Sequence, residues 1–114
     1  MKYLLLIHGG DAREQFNSLP EEEQNRILGE YRAIAEAPGV LGGHQLHPAD
    51  TATTVRVQDG RTLTTDGPFI EAKEALGGYF LYEADDLDAA IELASRIPAA
   101  RLGGKVEIRP LRES

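Results

Sequence analysis

Two unbroken apolar runs organise the chain. Lys2-Tyr3-Leu4-Leu5-Leu6-Ile7-His8 carries no polar break between Tyr3 and Ile7, and Gly78-Tyr79-Phe80-Leu81-Tyr82-Glu83-Ala84 is apolar as far as Tyr82. Short continuous runs of this kind predict strands covered on both faces. Lys105-Val106-Glu107-Ile108-Arg109 alternates strictly, which predicts a strand with one wet face. Thr51–Asp66 reads as a hairpin. Thr53–Gln58 and Arg61–Thr65 flank Asp59-Gly60, a dipeptide that favours a two-residue type I′ turn. The threonines there say strand, and the modest apolarity says exposed. Val40–Leu46 predicts one more strand, in which Gly42-Gly43 marks a bulge or a close backbone approach and His47-Pro48 closes the run.

Between the strands the period changes to that of a helix. Gly9-Gly10-Asp11 breaks the first strand. Ser18-Leu19-Pro20-Glu21 reads as a capping box, with Ser18 as N-cap. Ile27, Tyr31 and Ile34 then recur at helical spacing, with Leu28 and Ala35 beside them, until Pro38-Gly39. Asp85-Asp86 caps a second helix with the stripe Leu87, Ala90, Ile91, Ala94 and Ile97, stopped by Pro98. The order is β-α-β, hairpin, β-α-β. This predicts a single α+β domain over residues 1–114, a ferredoxin-like split βαβ fold with an inserted β-hairpin. In that arrangement the two apolar strands are central, and two helices cover only one face of the sheet. The other face then holds Leu and aromatic residues with nothing in the chain to bury them. A homodimer packed sheet to sheet, like a dimeric α+β barrel, is the expected cover.

Composition narrows the function classes. The 114 residues carry a net charge of −7, which disfavours nucleic acid and anionic membranes as partners. Arg96, Arg101, Lys105, Arg109 and Arg112 gather near the C-terminus and read as a solvated tail or a local basic patch. The absence of cysteine removes disulfides, thiolate chemistry and Cys-type metal sites. The run Tyr3–Ile7 is too short for a signal peptide or a membrane span, so a cytoplasmic location is expected.

Asp66-Gly67-Pro68-Phe69 follows the hairpin, a turn in which Pro fixes φ and Asp accepts from nearby backbone N–H groups. Five blocks continue from it in order: Glu71-Ala72-Lys73-Glu74, Leu76-Gly77-Gly78-Tyr79, Ala84-Asp85-Asp86-Leu87-Asp88-Ala89-Ala90, Ile97-Pro98-Ala99 and Val106-Glu107-Ile108-Arg109-Pro110. With the opening Met1–Ile7, the chain resembles the DGPF branch of the YCII-related (YciI-like) proteins over nearly its whole length. The resemblance implies a dimeric ferredoxin-like fold with a small-molecule cleft at the dimer interface. Some YciI-like relatives are taken to be lyase-like enzymes using a His–Asp pair, and some DGPF proteins are associated with extracytoplasmic-function sigma factors. The local pattern of that His–Asp pair has no match here, and His8 stands where many DGPF relatives carry an aromatic such as Tyr.

The candidate chemistry rests on few residues. His44, His8 and His47 can each serve as a general base or as a structural histidine. Asp66 can orient an imidazole, His44 first, or simply stabilise its turn. Arg13 and Lys73 are candidate clamps for an anionic substrate, with Phe69 as an apolar anchor, although solvated charges explain Lys73, Glu71 and Glu74 as well. No metal spacing, phosphate loop or nucleophile elbow is present in the sequence. Catalytic candidates are therefore His44, Asp66 and His8, in a lyase- or isomerase-type acid–base enzyme expected to need no cofactor. The alternative is a non-catalytic small-molecule-binding or regulatory module beside a sigma factor. A cofactor-free monooxygenase is a third reading, by fold analogy alone.

Overall fold

Both apolar runs lie at the centre of one antiparallel sheet. The computed structural model describes residues 1–70 and 75–113. In chain order the strands are β1 (Lys2–His8), β2 (Val40–Gln45), β3 (Thr53–Gln58), β4 (Arg61–Asp66), β5 (Leu76–Glu83) and β6 (Lys105–Pro110). The helices are α1 (Ala12–Asn17), α2 (Glu21–Ala35) and α3 (Leu87–Ser95), with single 3₁₀ turns at Ala49–Thr51 and Pro98–Ala100. The main sheet has the order β2-β5-β1-β6, and β3-β4 form a separate two-stranded sheet.

The period-2 rule sorts the side chains. Tyr3, Leu5 and Ile7 of β1 share a face with Phe80 and Tyr82 of β5 and with Val106 and Ile108 of β6. That face packs against Ile34 of α2, Ala90 and Leu93 of α3, and Ile97 to form the core. Leu5, Leu93 and Ile97 are fully buried. The opposite face carries Leu4, Leu6, Tyr79 and Leu81, which are only half-buried and lie outside the core cluster. Here it is called the open face.

Two local expectations need correction. The segment after β1, expected only as a break in the strand, holds an additional helix, α1, which carries Arg13. Ser18 is the C-cap of that helix, and its hydroxyl donates back to the Gln15 carbonyl at 2.7 Å. It therefore cannot cap α2, whose N-cap is Pro20 with no side-chain cap bond. The Gln24 amide instead ties α2 to the preceding segment, donating to the Phe16 and Leu19 carbonyls at 3.1 Å each. At α3 the expected cap forms, with the Asp86 carboxylate accepting from the Ala89 N–H at 2.9 Å.

The hairpin turns at Asp59 and Gly60, both with positive φ of 51° and 76°, as a type I′ turn requires. Among the described residues no helix is long and apolar enough to cross a membrane.

Candidate active site

A polar row crosses the open face. His44 of β2 lies opposite Tyr79 of β5, Tyr79 opposite Leu6 of β1, and Leu6 opposite Glu107 of β6. The His44 Nδ1 lies 2.8 Å from the Tyr79 hydroxyl, with the two rings tilted by 46°. At the other end, His8 Nε2 lies 3.1 Å from a Glu107 carboxylate oxygen. Arg109 approaches the other oxygen of Glu107 at 3.7 Å. Two histidines on one surface thus each meet a side chain that can exchange protons, and Leu6 lies between them.

The glycines explain how this row forms. A Cβ on Gly43 would lie 2.5 Å from the Tyr79 carbonyl oxygen and 2.6 Å from the Phe80 ring. Only glycine lets β2 sit flush on β5 there, and that contact brings the neighbouring His44 to Tyr79. A register shift between Val40 and Gly42 adds an irregularity just before it. Gly42-Gly43 thus provides both the bulge and the close approach expected of it. A second shift, between Ile7 and His8, lies at the end of the β1–β5 pairing, beside the His8–Glu107 contact.

The other candidates lie elsewhere. Asp66 is exposed at the end of β4, paired with Thr53 in the separate hairpin sheet, while the described hydrogen bond of the His44 ring is to Tyr79. Phe69 is 83% exposed. Arg13 lies exposed on α1, and His47 is exposed beyond the end of β2. Lys73, with Glu71 and Glu74, lies outside the described residues. The sequence reading missed Tyr79 and Glu107. Their signal was register: one is opposite a Gly-Gly-His strand, and the other is on the wet face of the alternating strand.

On the core side, burial pushes the Tyr31 hydroxyl above its ordinary 10.0, against lesser pulls from a backbone hydrogen bond with Ala99 and from Arg101. Arg101 in turn pairs with Glu30 at 2.6 Å. Among the described residues, no group of three or more His, Asp or Glu could hold a metal ion.

The family model for the YCII-related domain matches residues 1–114. The chain belongs to the YCII-related family. An uncharacterised protein of Rhizobium meliloti (strain 1021) is 35% identical over 116 residues, covering 97% of this chain and 92% of its own. Among solved structures, the YCII-related chain resembles the 5-chloro-2-hydroxyhydroquinone dehydrochlorinase of Burkholderia phenoliruptrix AC1100, in complex with 2,5-dihydroxybenzoquinone. The TM-score is 0.53 at 12% identity, and the match covers 100% of this chain and 96% of that one. At that identity the likeness is one of fold.

Proposed function

We infer that this YCII-related protein, by its Asp66-Gly67-Pro68-Phe69 turn of the DGPF branch, is a cofactor-free acid–base enzyme. It acts on a small hydroxylated or carbonyl compound seated on the open face, in a cleft closed by a second copy. The observation that carries the reading is the pairing of both site histidines on one surface, His44 with Tyr79 and His8 with Glu107. Beside the Glu107 carboxylate, His8 serves as a base, and the carboxylate balances the imidazolium that forms. His44 and Tyr79 form a two-way relay. When the tyrosine O–H donates to Nδ1, Nε2–H faces outward as an acid. In the other tautomer Nδ1–H donates to the phenol oxygen, and Nε2 faces outward as a base. A base and an acid on one surface suit removal of a substrate proton as a leaving group departs from a neighbouring carbon. The structural neighbour's dehydrochlorination belongs to that reaction class, and its fold supports the reading.

The test is a panel of halogenated hydroquinones and hydroxyquinones, with release of halide and quinone absorbance followed over time. Wild type should turn over at least one member, and His44→Gln and His8→Gln should each lower the rate by about 10²–10⁴-fold. A double variant as fast as wild type would overturn the assignment.

A further inference from the structure

The β3–β4 ribbon is built like an arm. None of its residues is buried, and Val55, Val57 and Leu63 are 58%, 68% and 37% exposed. Its register puts Val55 and Val57 on one face with Thr62 and Thr64, a surface without charge except for Asp66 at its end. Arg56, Gln58 and Arg61 point to the other face. The chain has a radius of gyration of 16.0 Å. A compact domain of this length has one of about 13 Å, so the ribbon stands away from the body. A two-stranded ribbon alone in water is only marginally stable. A surface of valine and threonine methyls held out this way needs a cover.

We propose that the Val55–Val57 face of the ribbon packs on the open sheet face of a second copy, against Leu4, Leu6 and Leu81, and that the second copy returns the same contact. Charge favours this partner. Arg56 and Arg61 cancel Asp59 and Asp66, so the net charge of −7 lies entirely outside the ribbon. Two copies of an acidic chain repel over most of their surface, but not where a neutral arm meets apolar strands. Each molecule also carries both halves of the contact, the arm and the uncovered face, which is what a two-fold pair requires. At strand spacings of about 4.8 Å and rises of about 3.4 Å, the arm presents about 200 Å² of projected surface, and the reciprocal contact doubles this to about 400 Å² per copy, the size of a small interface.

The proposal rests on the second-copy part of the preceding reading, and the experiment separates the two. Sedimentation equilibrium at tens of micromolar compares wild type, Val55→Glu/Val57→Glu and, as a control on the other ribbon face, Arg56→Ala/Gln58→Ala. Wild type and the control should be dimers. The glutamate pair should weaken association at least about 100-fold, because it would bury two unpaired carboxylates. Circular dichroism should stay unchanged, since the ribbon adds nothing to the core, while the melting temperature should fall and lose its dependence on protein concentration as the partner is lost. An undiminished dimer in Val55→Glu/Val57→Glu overturns the arm and leaves the dimer reading standing. Loss of the dimer in the control as well overturns the assignment of the face. A monomeric wild type overturns both readings.

Discussion

Gly43→Ala probes the tightest contact beside the candidate site. The added methyl would lie 2.5 Å from the Tyr79 carbonyl oxygen, 2.6 Å from a Phe80 ring carbon and 3.2 Å from the Phe80 Cα. The ring can tilt, but the carbonyl is held within β5. Carbon–oxygen contacts become tolerable at about 3.3 Å, so β2 must retreat by about 0.8 Å. A ladder bond of about 2.9 Å stretched that far leaves hydrogen-bonding range. Losing two such bonds at about 1 kcal/mol each costs about 2 kcal/mol, inside the usual range of about 1–3 kcal/mol for overpacking. At about 4 °C per kcal/mol, the melting temperature should fall by about 8 °C. Gly29→Ala is the matched control. Its methyl meets nothing within 4 Å on α2, and alanine is favoured there by about 0.5–1 kcal/mol. Calorimetry of both variants is the assay, with the His44 imidazole proton shift as a second readout of the Tyr79 contact. A Gly43→Ala protein that melts within about 2 °C of wild type, with the His44 signal in place, would refute the close approach.

Three further outcomes follow from the same geometry. Tyr79→Phe removes the partner of His44 Nδ1 while keeping the ring; it should leave the melting temperature nearly unchanged and lower turnover by about 10²-fold, as rate measurements on an identified substrate would read. Asp86→Ala deletes the cap of α3 and should cost about 1 kcal/mol, seen as a lower midpoint in urea. Because the folded-state pKa of Tyr31 is raised above 10.0, its neutral form is favoured by folding. Its contribution is fully present below 10.0 and is lost as pH rises through the raised value. Melting scans at alkaline pH should therefore fall less steeply in Tyr31→Phe than in wild type.

Much of the fold was legible because period and turn chemistry are local. The unbroken runs at β1 and β5, the alternation of β6 and the Asp59-Gly60 turn each specify their element without reference to the rest of the chain. Ser18 misled for the same reason. Its side chain fits either a cap or a turn-back bond, and the choice depends on α1, a six-residue helix with no buried side chain and hence no apolar stripe to announce it. The site was legible only in half. Histidines draw notice by their chemistry, so His8 and His44 were candidates. Their partners Tyr79 and Glu107 sit 35 and 99 positions away in the chain. Only strand register brings them together, and register between distant strands is not written in local sequence. Asp66 drew notice through its turn, yet that turn belongs to the hairpin and not to the sheet that holds the histidines.

The strand order has a consequence for how the protein is made. β1 holds no partner among its neighbours in sequence. Tyr3 pairs with Tyr82 on one side and with Pro110 on the other. At about 5–20 residues per second, a ribosome leaves this leucine-rich segment waiting roughly 5–20 s for its second neighbour. Contacts that close such long loops fold slowly. During synthesis β1 is an uncovered, sticky strand with two free edges, and whatever shields nascent chains in the cell must hold it until the last strand emerges.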